Sequence, residues 1–188
     1  MTDLNIGLIG AGLMGHEHIQ NFNLLDGARI AAIADTNAPM LAKALELSDT
    51  DARTSHDYES LLSDDSLDAL VIATPNFHHI DVLRAALSTG KPILCEKPLC
   101  TTLADTTEVM QQVTRDKLTF QVGMEYRFKP ALAEMIGRVE RGDIGKVHML
   151  SIREHRFPFL PKVDDWNRFN ANTGGTLVEK CCHFFDLM

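Results

Sequence analysis

A doubly wound α/β fold on a parallel sheet is what this chain predicts, and three observations predict it. Short, continuously apolar runs alternate with longer stretches whose apolar residues recur every three or four positions. A glycine-rich turn stands between the first run and the first stretch, and an acid closes the second run. Runs without polar alternation suit strands covered by helices on both faces, which is the environment of parallel strands. Alternating β and α segments joined by right-handed crossovers place a ligand crevice outside the carboxyl ends of the strands.

Strands are expected at Leu4–Ile9, 29–34, 69–74, 92–95 and 118–122, each too short and too apolar for a surface helix. Helices are expected at 14–25, 39–47, 58–63, 78–89 and 103–115, with Gly90 as a stop after the fourth. After Val122 the texture changes. A helix over Pro130–Glu140 leads through a turn at 141–145 to a long alternating strand at 146–156. An ordered loop over 157–175 and a final helix beginning near Glu179 complete the chain. The domain boundary falls near Gly123, dividing the chain into residues 1–122 and 123–188.

The 188 residues, 45% hydrophobic and 23% charged, have the composition of a globular protein with enough core to need no disulfide or metal staple. Lys and Arg number 18 against 26 Asp and Glu, and the resulting net charge of -8 repels a polyanion, so nucleic acid is not expected as a partner. The longest apolar runs, 30–34 and 69–73, fall far short of the ~20 residues that span a bilayer. Asp3 stands where a secretory signal carries basic charge, and the reading is cytoplasmic. Cys95, Cys100, Cys181 and Cys182 show no metal spacing and read as reduced thiols. Cys181, Cys182 and His183 are consecutive, and neighbours on a helix point about 100° apart, so no metal is expected there.

Gly10, Gly12 and Gly15 form G-x-G-x-x-G directly between the first strand and the first helix, with Leu13 and Met14 inside the turn. The first glycine permits the turn, the second admits a pyrophosphate, the third lets helix pack on strand, and the helix N-terminus supplies amide donors. Asp35 follows Gly15 by 20 residues, at the end of the second strand. A carboxylate there accepts hydrogen bonds from the adenosine ribose hydroxyls and repels a 2′-phosphate, which favours NAD(H) over NADP(H). The competing reading is that the glycines merely close a turn and Asp35 caps the next segment. His16 and His18, in the first helix, read as structural.

ATPNFHH leaves a strand at the same edge, putting Thr74, Pro75 and Asn76 where the nicotinamide ribose would lie, and CEKPL sets Glu96 and Lys97 beside them. GLIGAGLMG, Asp35, ATPNFHH, CEKPL, EYRFKP and the GG-containing segment leading to His183 together resemble the Gfo/Idh/MocA family of NAD(P)-dependent oxidoreductases. The resemblance implies a Rossmann domain followed by the start of a second α/β domain with a mostly antiparallel sheet. It places Lys97 near the nicotinamide as a proton-transfer residue, followed by a commonly cis Pro98, and gives Glu96 to the coenzyme site. Glu179 and His183 match an acid and a histidine that reach the substrate, and one helical turn between them lets both face one pocket. The chain departs from the commoner pattern in having Glu rather than Asp, and bulky Lys180, Cys181 and Cys182 between. A helix-capping Glu and a core His are the alternative. Tyr126 and Arg127 fall near the substrate by the same resemblance, with His155, Arg156, Asp165, Trp166 and Asn167 as weaker wall candidates.

The function expected is that of an NAD-dependent dehydrogenase moving a hydride between nicotinamide and a hydroxyl or carbonyl carbon of a small polyol, sugar or related compound. The alternative is a catalytically inactive dinucleotide-binding regulatory or interaction protein. Relatives of the resembled family continue past the histidine segment through strands that complete the second sheet and commonly form the subunit interface. One helix, one strand and a last helix do not close a sheet. Residues 123–188 are therefore expected to be an incomplete substrate-binding and oligomerisation domain, part of a longer polypeptide or covered by another copy, while 1–122 bind NAD(H) by themselves.

Overall fold

The computed structural model describes residues 3–49, 51–155 and 161–188. Its sheet contains β1 (Leu4–Ile9), β2 (Ala28–Ala34), β3 (Arg53–Ser55), β4 (Ala69–Ile72), β5 (Ile93–Cys95) and β6 (Phe120–Val122), in the spatial order β3-β2-β1-β4-β5-β6. Every pairing is parallel. Side chains alternate between the two faces: Leu8 and Val71 enter one core with Ile19 and Leu41, whereas Ile9 and Ile72 enter the other with Leu83 and Val109. Both faces of the central strands are thus apolar, which is why β2, β4 and β5 read as short apolar runs.

The covering helices are α1 (Leu13–Phe22), α2 (Ala38–Leu47), α3 (Glu59–Leu62), α4 (His79–Leu87) and α5 (Leu103–Asp116). Local chemistry sets their ends. The Asn37 side chain accepts the Met40 N–H at 3.1 Å to start α2, and Thr102 accepts the Asp105 N–H at 3.1 Å to start α5. Lys117, in the left-handed region at φ 52°, ends α5. Beyond β6 come a 3₁₀ segment at Glu125–Phe128, α6 (Pro130–Glu140), a 3₁₀ segment at Val163–Arg168, α7 (Asn170–Thr173), α8 (Thr176–Glu179) and α9 (Cys182–Leu187). No described helix is long and apolar enough to cross a membrane.

Three expectations are corrected. A mostly antiparallel second sheet is not found: every strand pairing among the described residues is parallel and belongs to the one sheet. Residues 146–155 form no strand, because an alternating pattern makes one only where a neighbour exchanges backbone hydrogen bonds; Arg156 and the start of the expected 157–175 loop lie outside the described residues. The single final helix expected to begin near Glu179 is instead two short ones, α8 ending at Glu179 and α9 beginning at Cys182, with Lys180 and Cys181 between them. The structure also adds β3, a polar edge strand that carries no apolar signal.

Candidate functional site

β1 runs to Ile9 and continues into the glycine turn. The chain steps outward from β1 to β2 and β3, then returns on the other side at β4, so strand order reverses between β1 and β4. Loops leaving these two carboxyl ends diverge there, and a cleft of about 880 Å³ opens between them. Gly10 has φ +100°, and a Cβ on it would sit 2.6 Å from the Ala73 carbonyl and the Thr74 nitrogen. A Cβ on Gly15 would lie 2.2 Å from the Gly10 oxygen. These two positions close the turn, whereas a Cβ on Gly12 would meet nothing within 4 Å. Gly12, Leu13 and Met14 face the cleft, and Gly15 lies beneath it.

Asp35 stands at the cleft's far end, its carboxylate accepting the Ala11 N–H at 2.7 Å and the Asn37 N–H at 2.8 Å. It fastens the glycine turn and its own turn together, while the cap of α2 is Asn37 and not Asp35. At the opposite end Thr74, Pro75 and Asn76 line the cleft. Thr74 Oγ1 and Asn76 Nδ2 are buried without a hydrogen-bond partner among the described residues. No side chain caps the N-terminus of α1. An open cradle at Gly12, an uncapped helix N-terminus and two orphaned polar atoms fit a dinucleotide laid from Asp35 to Asn76.

Lys97 and Glu96 leave β5 at that same edge, and the Lys97–Pro98 peptide is cis. The Lys97 ammonium donates to the Glu179 carbonyl at 3.1 Å, and both residues line the cleft. Burial holds the Glu179 carboxyl above the ordinary carboxylate value, against the pull of Lys97 and Lys162. Lys162 stands over the Trp166 ring at 4.4 Å, and burial pushes its pKa down. His79, fully buried, sets Nδ1 2.9 Å from the Pro98 carbonyl and Nε2 3.0 Å from the Thr74 carbonyl, tying the Lys97 loop to the end of β4.

His183 does not line this cleft. It is buried, with its ring stacked on Tyr126 at 4.1 Å and 7°, and Nε2 3.3 Å from Glu125 Oε2. The reason is the break after α8: Lys180, at φ -108° and ψ -48°, ends one helix and Cys182 begins the next, so Glu179 and His183 do not share a continuous helical face. Tyr126 donates to Glu154 at 2.5 Å and accepts from Lys180 at 3.1 Å, with the Lys129 ammonium 3.7 Å over its ring. Arg127 pairs with Asp186 outside the cleft. Among the weaker candidates Trp166 reaches the cleft, Asn167 is buried, Asp165 pairs with Arg168 at 3.0 Å, and His155 is exposed.

Sequence reasoning passed over Lys162 and His79, and read as merely structural His18, whose Nε2 lies 2.8 Å from Glu96 Oε1. A usable signal existed for His18 alone: it is half-buried beside Gly15 and Ile19, the buried residues of α1, where an ionisable residue needs a partner. Cys95 and Cys100 are buried, burial raising the first thiol well above its ordinary range and the second to about 11. Among the described residues no group of three or more His, Cys, Asp or Glu could hold a metal ion.

Residues 4–124 match the family model described as the Gfo/Idh/MocA oxidoreductase family, NAD-binding Rossmann fold, and residues 136–188 match that family's C-terminal alpha/beta domain. The uncharacterized oxidoreductase YrbE of Bacillus subtilis is 34% identical over 181 residues, which are 96% of this chain and 51% of that protein. An inositol 2-dehydrogenase of Corynebacterium glutamicum is 37% identical over 187 residues, 98% of this chain and 53% of that one. Among solved structures, myo-inositol dehydrogenase from Lactobacillus casei in complex with NAD(H) and myo-inositol superposes with a TM-score of 0.71 at 31% identity, covering 77% of this chain and 43% of that one. The chain spans about half the length of the curated relatives it matches.

Proposed function

The chain belongs to the Gfo/Idh/MocA family of oxidoreductases and carries its NAD-binding Rossmann domain, and from that premise we propose that it serves an NAD-dependent dehydrogenase acting on a CH–OH group of a small polyol, a cyclic polyol such as inositol foremost. One observation carries the reading: Lys97 and Glu179 meet at the end of the coenzyme-shaped cleft marked by Thr74 and Asn76. The inactive alternative gains nothing from this geometry.

The nicotinamide, when bound, accepts or returns the hydride. The chain's own residues handle the proton. When a carbinol carbon is oxidised its hydroxyl proton must leave, and Lys97 in its neutral form takes it; in the reverse direction the ammonium donates it to the carbonyl oxygen. The Glu179 carbonyl holds the Lys97 side chain by accepting one N–H at 3.1 Å. Its carboxyl, held above the ordinary range by burial, is placed to exchange that proton or bind a second hydroxyl.

Residues 1–122 are assigned the coenzyme and 123–188 the substrate side and self-association, in the cytoplasm. The test is NAD⁺ reduction at alkaline pH over a panel of myo-inositol, other polyols and sugars, beside NADH binding by fluorescence. Reduction with one class of polyol is expected; NADH binding without any turnover would overturn the reading. Asp35 sets the coenzyme: NAD(H) should bind at least about tenfold tighter than NADP(H), since two like charges a few ångströms apart near a surface repel by ~1–4 kcal/mol. Equal or tighter NADP(H) binding in the same titration would refute that assignment.

A further inference from the structure

We infer that His18 is a positioning residue for the proton-handling lysine: through the Glu96 carboxylate it fixes the Lys97 loop against the helix that follows the glycine turn. The inference rests on the proposed role of Lys97, but its geometry stands independently of it.

Glu96 is 8% exposed, and both its oxygens are engaged. Oε1 lies 2.8 Å from His18 Nε2, and since a carboxylate only accepts, that nitrogen carries the proton. Oε2 accepts the backbone N–H of Lys97 at 3.2 Å. From a third side Gly123 closes in, where a Cβ would stand 3.2 Å from Oε1. The carboxylate therefore joins three pieces of chain far apart in sequence: α1, the Lys97 loop and the exit from β6. The backbone is held as well, by the Glu96 N–H on the Ile72 carbonyl at 2.8 Å and the Gly123 N–H on the Cys95 carbonyl at 2.8 Å.

Charged and titratable groups face Glu96 from every neighbouring element: His18 on α1, His79 on α4, Cys95 on β5, Lys97 in its own loop, Glu125 after β6, and Lys162 across the cleft. Burial alone would raise the Glu96 pKa, but the hydrogen bond and charge of His18, followed by the amide and charge of Lys97, hold it below the ordinary value. A carboxyl depressed in the folded state contributes stability above its unfolded pKa and loses it as pH falls through the folded one. Removing His18 moves that loss to higher pH. A protonated Glu96 then releases the Lys97 amide and withdraws a negative charge from beside its ammonium.

The experiment compares His18→Leu, which removes the donor, with His18→Gln, which retains an N–H, in the full chain. Four quantities are measured: the ¹³C titration of the Glu96 carboxyl, the Lys97 amide resonance, NADH affinity, and the pH profile of kcat on the polyol turned over fastest. In the Leu variant the Glu96 titration should rise by about one to two pH units, the Lys97 amide should shift, and the acid limb of kcat should rise in step while NADH affinity holds. The Gln variant should restore most of each. Should the Leu variant fail to fold, His18→Asn, whose shorter amide cannot reach Oε1, makes the same comparison. Glu96 titrating unchanged, or a Lys97 amide and acid limb that stay put while Glu96 moves, would overturn the inference. If no polyol is turned over even by the wild type, the dehydrogenase reading fails, and the carboxyl titration with the amide resonance still decides whether His18 positions this loop.

Discussion

Lys97→Ala is expected to lower turnover by about 10²–10⁴-fold, the range of a lost general acid–base group, with NADH affinity nearly unchanged. The side chain meets the Glu179 carbonyl at 3.1 Å beyond the end of β5, which β4 separates from β1 and from the glycine turn that would hold the pyrophosphate. Its removal therefore takes away proton handling and one brace on α8, but no phosphate contact. Steady-state turnover on the best polyol, paired with fluorescence titration of NADH, checks both halves. Wild-type kcat in the variant would show that the proton leaves by another group, and a collapse of NADH binding would place Lys97 in coenzyme binding instead.

The second large effect divides the three glycines, which share one motif but not one task. Gly15→Ala would bring a methyl group to 2.2 Å from the Gly10 oxygen and 3.1 Å from its carbonyl carbon, backbone atoms that cannot yield as the end of a flexible side chain does. The cost should exceed the ~1–3 kcal/mol of ordinary overpacking, a large share of the ~5–15 kcal/mol by which domains are stable. Gly10→Ala adds the strain of φ +100° to a 2.6 Å approach to Ala73 and Thr74. Both variants should show a lowered Tm or fail to accumulate as folded protein. Gly12→Ala is different: its φ of -75° suits alanine and no protein atom lies within 4 Å of the new methyl. It should keep the wild-type Tm and lose NADH affinity, because the methyl occupies the space a pyrophosphate needs. Tm by scanning fluorimetry and NADH titration on the same samples check this, and a Gly12→Ala protein with unchanged affinity would move the coenzyme off this turn.

How far the sequence could be read follows from whether a feature is local or depends on a partner. β1, β2, β4 and β5 were legible because burial on both faces leaves short apolar runs, β6 because Leu118, Phe120 and Val122 mark one apolar face beside the exposed Gln121, and the glycine turn because its spacing is a backbone requirement. β3 was not, since Arg53, Thr54 and Ser55 lie at a sheet edge and little of them is buried. The alternating stretch 146–155 misled for the complementary reason: its pattern describes one strand, and pairing needs a second. At the site, Lys97 and Glu179 could be placed by motif. The link from His18 to Glu96 spans 78 positions, so the sequence can mark His18 as needing a partner without naming Glu96 as that partner. Lys162 is brought to the cleft by a loop without regular pattern, and the turn from Glu179 to His183 breaks where a uniform helix was assumed.

The three residues of β3 have one more consequence. A parallel sheet ends in strands whose outer N–H and C=O groups are unpaired, and a long, flat, apolar edge of that kind recruits other chains into aggregates. Here the edge is brief, polar and charged, with Arg53 drawn sideways to Asp64 and to the Ser66 hydroxyl at 3.2 Å. The outermost strand at the opposite side, β6, is also only three residues long. Neither margin offers an incoming strand more than a few hydrogen bonds, so the apolar interior of the sheet stays protected from edge-to-edge polymerisation.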